Sequence, residues 1–457
     1  MYKKEKMTCP ADPIDFMIKV FEENKNKDAI IWKNKIYDYA WISNTIYHWE
    51  KIIKSKDIKQ GAVVVLDANF SPNSVALFLA LIRHGCILVP LTSFVESKKS
   101  ELKKTAQGEV SFAVGKTDDI KIEKLPCAAS HPFYQKLRST GHAGLVLFTS
   151  GSTGESKAVV HDLIKILEKF KERRHSFRTI TFLSYDHIGG VNTMLYTLSN
   201  GGCLVTVQDL SPDSVLEAVE KYKVELLPTS PTFINLILLS KAYARHNIDS
   251  LKIVTYGTES MLESTLKRFC EVAPKIQLLQ TYGLSEVGIL RSKSKDSNSL
   301  WVKVGGEGFK TRIVDGVLHI KAESAMMGYL NAPSPFTADG WLNTGDYVEV
   351  DGDYIRILGR MSKIINVGGE KVYPAEVESV IQEMDNVAEA TVYGEKNPIT
   401  GNIVCAKVRL KEEEDDKEFS ARLRQYCAAR LERFKVPIRI DIVNKKQYGK
   451  RFKKISV

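Results

Sequence analysis

Short apolar runs, rich in β-branched residues, recur at 62–66, 110–114, 145–149, 203–207, 252–256 and 276–281. Between them lie stretches of helical length, such as 73–84 (NSVALFLALIRH), 163–171 and 212–221. Buried strands alternating with amphipathic helices predict α/β layers built on mostly parallel sheets. The most apolar stretch, 74–91, carries Arg83 and His84 in its middle. It reads as a buried helix followed by a strand, not as a membrane span. After about Gly305 the texture changes. Asp315-Gly316 and Asp351-Gly352 are hairpin-turn dipeptides beside the alternating strings VLHIKA and YIRILGR. Beyond Arg360 come a smaller α+β segment, an acidic run at 412–416, a helix predicted over 418–434, and a basic tail. The expected fold class is therefore α/β. A large N-terminal domain, 1–360, combines layered, mostly parallel sheets and helices with a β-rich subdomain. A small α+β C-terminal domain, 361–457, follows.

Composition sharpens this only in part. A chain of 457 residues has room for two or three domains. Lys and Arg exceed Asp and Glu by 65 to 55, a net charge of +10, which favours anionic partners such as nucleotides or coenzymes. No basic stripe with interleaved aromatics accompanies that charge, so nucleic acid is not expected as a partner. The seven cysteines (Cys9, Cys86, Cys127, Cys203, Cys270, Cys405, Cys427) form no CxxC pair, and the nine histidines show no HExxH spacing. A disulfide framework and a zinc site are both disfavoured, and a reducing, cytoplasmic setting is expected. The first residues, MYKKEKMTCPADPIDF, lack the apolar core of a signal peptide. No transmembrane segment is expected.

The strongest chemical signal is 145–158, LVLFTSGSTGESKA. A buried strand runs into Thr149, Ser150, Gly151, Ser152, Thr153 and Gly154, with Lys157 three residues on. Small residues let several backbone N–H groups point into one concavity, while hydroxyls and an ammonium add donors. Such a combination holds polyphosphate oxygens. It is not the Walker A loop, because GxxxxGK[ST] is absent. A plain Ser/Gly surface loop is the competing reading. The string resembles the phosphate-binding signature of the AMP-forming adenylating superfamily, which includes acyl-CoA and aryl-CoA synthetases, peptide-synthetase adenylation domains and luciferases. The usual proline before the lysine is Ser156 here.

Further strings follow in the superfamily's order. Gln280-Thr281-Tyr282-Gly283-Leu284-Ser285-Glu286 resembles its second signature. The resemblance implies that Thr281 donates to the α-phosphate, that Tyr282 offers a ring face to adenine, and that Glu286 ligates Mg²⁺, a hard cation suited to a carboxylate and phosphates. Tyr256-Gly257-Thr258-Glu259 is similar to the segment along adenine and the acyl-pocket wall. Gly340-Trp341-Leu342-Asn343-Thr344-Gly345-Asp346 resembles a GWxxTGD string whose aspartate accepts from the ribose hydroxyls. Arg360 matches an arginine that holds the ribose and closes the large domain. The resemblance implies a hinge at 360–363, with Ser362 as the pivot, and a mobile C-terminal domain. Gly368-Gly369 and Lys371 match its coenzyme A face, although a simple hairpin turn accounts for the glycine pair equally well. His187 and Gly189, in His187-Ile188-Gly189-Gly190, resemble the gate of the acyl pocket. Val191, Asn192, Tyr256, Gly257, Val287 and Gly288 are the other expected wall residues. The register puts His187, not Asp186, in the aligned position, which favours an acid without an α-amine.

By position Lys450 matches the superfamily's catalytic lysine, but the preceding proline and small residues are replaced by Lys445, Lys446, Gln447 and Tyr448. Six of the thirteen residues at 445–457 are basic, so Lys446, Arg451 and Lys453 stand as alternatives. The implied activity is ATP-dependent conversion of a small carboxylic acid to an acyl-AMP, then transfer to the thiol of coenzyme A. Two alternatives share these motifs: an enzyme that loads a separate acyl carrier protein, and a nucleotide-binding homologue without turnover.

Overall fold

The computed structural model describes residues 12–150 and 155–455. The chain forms two compact units. One comprises Met1–Gln208, Leu284–Ile289 and Glu323–Pro335, the other Asp209–Gly283, Leu290–Ala322 and Phe336–Val457.

The first unit is organised on a seven-stranded sheet. Its order is Gly328–Tyr329, Ser156–Asp162, Gly144–Ser150, Ile87–Leu91, Val63–Asp67, Val110–Val114, Ile120–Lys124. The four strands from Gly144–Ser150 to Val110–Val114 run parallel, and antiparallel strands close both sides. The parallel strands read as unbroken apolar runs because both faces are covered. The helix Pro72–Arg83 is buried at every position from Ser74 to Ile82. It starts with a reciprocal capping box between Ser71 and Ser74, with Pro72 at a position where the missing N–H costs nothing. The stretch that could have suggested a membrane span is thus a core helix followed by the core strand Ile87–Leu91. Among the described residues no helix is long and apolar enough to cross a membrane.

The second unit holds three parallel strands, Leu226–Thr229, Ile253–Tyr256 and Gln277–Gln280. It also holds a six-stranded antiparallel sheet spanning 291–360, the expected β-rich region. Asp315 and Gly316, both at positive φ, join Val314 to Val317 as a type I′ turn requires. At the other dipeptide Asp351 pairs with Tyr354, so the turn residues are Gly352 and Asp353, and Gly352 alone takes positive φ. That is the turn class with glycine first, one residue later than the dipeptide suggests.

From Ile365 onward the chain packs a core of its own, including Val372, Val377, Ile381, Val392, Val404, Phe419 and Leu423. The helix expected at 418–434 runs instead over Asp416–Ala428. Asp415 caps it, accepting from the N–H groups of Lys417 and Glu418. The chain leaves the helix ahead of Pro437, which cannot continue one, and Lys435 is tied to Glu376 at 2.7 Å on the helix Pro374–Gln382.

Candidate functional site

In the first unit the strands Gly144–Ser150 and Ser156–Asp162 form a hairpin. Its last pair is Ser150 with Ser156, so the loop between them is closed at its base. Gly151, Ser152, Thr153 and Gly154 lie outside the described residues. Thr149 stands directly opposite Lys157. Opposed residues of an antiparallel pair share a face, which puts a hydroxyl and an ammonium side by side where the loop begins.

Glu286 belongs to the same unit. Its segment is fastened on several sides. The buried His161 ring donates from Nε2 to the Ser285 carbonyl at 2.6 Å, the Met326 N–H donates to the Glu286 carbonyl at 2.8 Å, and Ser324 Oγ donates to the Val287 carbonyl at 2.9 Å. Burial pushes the His161 ring down to about 4, so it is neutral at physiological pH. The Glu286 carboxylate accepts from the Tyr329 hydroxyl at 2.6 Å. Burial, then the neighbouring Glu286, push the Tyr329 phenol well up. The Lys157 ammonium lies 5.3 Å from the centre of the same ring. Asn331 clasps the strand beside it, accepting from the Ala158 N–H and donating to the Ser156 carbonyl, both at 2.9 Å. His161, Tyr329 and Asn331 carry no motif of their own and escaped the sequence reading. The only signal was for His161, four residues beyond Lys157 on the same strand.

His187 precedes the helix Ile188–Ser199, and Gly190 sits in that helix's first turn. A Cβ at Gly190 would fall 2.1 Å from the Ser184 carbonyl oxygen, so the second glycine of the string is there for close packing. The adjoining Asp186 is buried and accepts from Thr92 and Ser184 hydroxyls, each at 2.7 Å. Two hydroxyl donors thus engage this carboxylate, one on each oxygen. On the same helix Asn192 accepts from the Lys169 ammonium, which also donates to the Ile289 carbonyl. Val287 and Gly288 are buried.

The second unit contains another cluster. Asp346 is opposed to Arg360 across two antiparallel strands, and Arg360 Nε donates to Asp346 Oδ1 at 3.2 Å. The Tyr282 hydroxyl donates to the other oxygen, Oδ2, at 2.6 Å. Burial raises the Asp346 carboxyl, and Arg360 and Tyr282 oppose that shift. Tyr282 is itself buried, its hydroxyl turned to Asp346. Gly257 packs so closely on Thr281 that an added Cβ would lie 2.7 Å from both its carbonyl oxygen and its hydroxyl. Thr281 donates from its hydroxyl to the Tyr256 carbonyl at 3.1 Å. Glycine in the YG pair therefore brings two of the recognised strings together. Thr258 follows with φ +73°, a left-handed conformation that is strained for a β-branched residue. Glu259 accepts from the Thr232 N–H at 2.8 Å, at the start of the helix Pro231–Ser240, and from the Lys454 N–H at 2.9 Å.

The tail folds back on itself, with Tyr448 bridging Lys454 and Phe452 at φ +51° in the turn. Lys450 is exposed in that turn. Lys454 is held differently, its ammonium 2.6 Å from Glu378 Oε2 and 2.9 Å from the Ala390 carbonyl. Of the alternatives, Lys446 lies over the Tyr448 ring at 5.7 Å. Ser362 sits in the single 3-10 turn Met361–Lys363. Gly368 and Gly369, at φ +60° and +96°, form the tip of the hairpin between Ile365–Val367 and Glu370–Val372. A Cβ at either meets nothing within 4 Å, so the tip is open. Lys371 donates to the Tyr347 hydroxyl at 3.3 Å.

Among the described residues no group of three or more His, Cys, Asp or Glu side chains could hold a metal alone. The single carboxylate of Glu286 fits a hard dication such as Mg²⁺, which keeps several waters and takes further ligands from phosphate oxygens.

The profile of the family described as AMP-binding enzyme matches residues 19–330. That of the AMP-binding enzyme C-terminal domain matches residues 376–450. A 2-succinylbenzoate–CoA ligase of Listeria monocytogenes is 24% identical, the match covering 91% of this chain and 92% of that protein. A long-chain-fatty-acid–CoA ligase of Mycobacterium tuberculosis is 24% identical, with 88% of each chain covered. A CoA ligase of Rhodococcus jostii acting on a methyl-dioxo-octahydroindenyl propanoyl group is 28% identical, and that match covers 65% of this chain and 61% of the relative. Among solved structures, the anthranilate CoA ligase AuaEII in complex with anthranoyl-AMP superposes with a TM-score of 0.82 at 18% identity, covering 97% of this chain and 95% of that one. ATP-bound MatB from Rhodopseudomonas palustris gives a TM-score of 0.76 at 20% identity, with coverage of 95% and 96%.

Proposed function

The chain belongs to the AMP-binding enzyme family, and from that premise we propose that it is an AMP-forming acid–thiol ligase. It joins a small carboxylic acid to AMP with release of pyrophosphate, then passes the acyl group to the thiol of coenzyme A. The observation that carries this reading is the meeting of Lys157, at the base of the Ser/Gly loop, and Glu286, from the second signature, on one tyrosine, Tyr329.

A carboxylate is a poor acyl donor because its leaving group would be oxide. A carboxylate oxygen attacks the α-phosphorus of ATP in line, the bond to the bridging oxygen breaks, and pyrophosphate carries the electron pair away. The transition state concentrates negative charge, so electrostatic stabilisation is the main requirement. The loop from Thr149 to Gly154, with Lys157, grips the β- and γ-phosphates. Asp346 and Arg360 hold the ribose, Gly257, Thr258, Glu259, Tyr282 and Gly283 line the adenine, and Thr281 donates to the α-phosphate. Lys450 lowers the repulsion between the two approaching anions. Glu286 is the residue to hold Mg²⁺, which when bound neutralises charge on the departing pyrophosphate. His187, Gly189 and Val287 border the acyl group. In the second step the domain beyond the pivot at 360–363, centred on Ser362, turns to present Gly368, Gly369 and Lys371 to coenzyme A, so one site serves two reactions in turn. A cytoplasmic setting is the one that fits scattered cysteines with no CxxC pair.

The test is pyrophosphate release from ATP across aryl, fatty, dicarboxylic and amino acids, with and without free coenzyme A. Acid-dependent release followed by CoA thioester formation is the expected result. Release without a CoA thioester redirects the second step to a carrier protein. No release with any acid, and no ATP–pyrophosphate exchange, refutes the activity.

A further inference from the structure

The row formed by Thr149, Lys157 and Tyr329 follows from strand register. Thr149 opposes Lys157, and Tyr329 opposes Val159, two residues further along the same strand. Residues two apart on a strand share a face, so Lys157 is the diagonal neighbour of Tyr329. The backbone around the tyrosine is fixed as well: Met327 N–H donates to the Val160 carbonyl at 2.7 Å and Leu330 N–H to the Ala158 carbonyl at 2.9 Å. Tyr329 is 8% exposed. Its ring thus has one charged group over its face, Lys157, and another on its hydroxyl, Glu286. No ion pair forms between these two opposite charges. A long ammonium and a carboxylate this close to a common side chain would be expected to pair, and pairing would neutralise both.

Resting on the adenylating function given above, we propose that Tyr329 is a positioning residue that keeps Lys157 and Glu286 apart and separately aimed. Its hydroxyl occupies Oε1 of Glu286, so Oε2 is left for a hydrated divalent cation. Its ring seats the Lys157 ammonium by cation–π attraction, which leaves the N–H donors of that ammonium for phosphate oxygens. Each charge is then available to a different part of one metal–nucleotide ligand.

Direct binding tests this without turnover, using Mn²⁺ detected by electron paramagnetic resonance and α,β-methylene-ATP detected by calorimetry. Tyr329→Phe keeps the ring and removes the donor. It should weaken Mn²⁺ binding in the presence of the analogue about tenfold, the scale of one hydrogen bond to a charged group. Binding of the analogue in EDTA should stay within about twofold of the native value, since the cation–π contact survives. Tyr329→Leu should weaken both. In a Glu286→Gln background Tyr329→Phe should add nothing to the loss of Mn²⁺, because the hydroxyl acts through that carboxylate. Thermal unfolding of each variant identifies a general loss of fold, and Tyr329→Phe, which changes one oxygen, is the decisive protein. Native-like Mn²⁺ binding by Tyr329→Phe overturns the inference while the adenylating reading stands. A native protein that binds no analogue overturns both.

Discussion

Individual residues show how burial sets the chemistry. His161 has no exposed surface, and its neutral ring donates to the Ser285 carbonyl that precedes Glu286. A folded-state value near 4 against about 6.5 when unfolded means that the unfolded chain binds the extra proton first on acidification. Stability should therefore fall as pH drops from about 6.5 to 4, by roughly 3 kcal/mol from this group. Urea unfolding across that range, compared with His161→Gln, checks the sign: the native curve should be steeper, and identical slopes would remove His161 as the cause. Thr258 makes the opposite case, a side chain in a conformation it disfavours. Thr258→Gly should raise stability by about 1 kcal/mol, because glycine takes φ +73° without the strain of a branched Cβ. A lower midpoint in thermal unfolding would show that the threonine side chain makes a compensating contact.

Between elements, the deciding quantity is how closely backbones approach and which residues a register sets side by side. The strings at 256–259 and 280–286 were recognisable one at a time, but nothing in either announces that Gly257 lies against Thr281. That contact exists because Ile253–Tyr256 and Gln277–Gln280 run parallel in register, Tyr256 beside Gln280, and only a residue without Cβ fits at the next step. The glycine pair at 368–369 differs. There the glycines are demanded by turn torsions alone, and the space around them is open. Gly369→Ala should cost about 1 kcal/mol for its φ of +96°. On the proposed role of the tip it should also raise the KM for coenzyme A several-fold and leave ATP–pyrophosphate exchange unchanged. An unaltered KM in steady-state kinetics would detach this hairpin from coenzyme A. Helix ends were less legible than strand centres: the expected helix at 418–434 stops at Ala428. Residues after it have helical composition, but Pro437 and the Lys435–Glu376 ion pair draw the chain into an extended path.

For the molecule as a whole, the tail presents its lysines differently. Lys450 is exposed at a turn, whereas Lys454 is committed to Glu378 and the Ala390 carbonyl. An ammonium held by a carboxylate is poorly placed to meet a second anion, whereas Lys450, the lysine assigned to adenylation in the proposed reaction, is exposed. Lys450→Ala should reduce acid-dependent pyrophosphate release by orders of magnitude while thioester formation from supplied acyl-AMP largely survives, as single-turnover assays of the two half-reactions would show. Equal loss of both would rule out a step-specific lysine.

The alternation of apolar runs and amphipathic stretches, with the turn dipeptides, was enough to determine the α/β class and the later β-rich region, because burial periodicity and turn torsions are local properties written in consecutive residues. The Ser/Gly loop, Glu286, Asp346 and Arg360 could be named as candidates because they lie in short strings that resemble those of the superfamily. What those groups touch was not legible. Tyr329 reaches Glu286 across 43 positions of chain, and Tyr282 reaches Asp346 across 64. His161 meets Ser285 across 124. Such pairs depend on strand register and long-range packing, which no local pattern encodes, and so only the tertiary structure could assign partners to the charges that the sequence had already named.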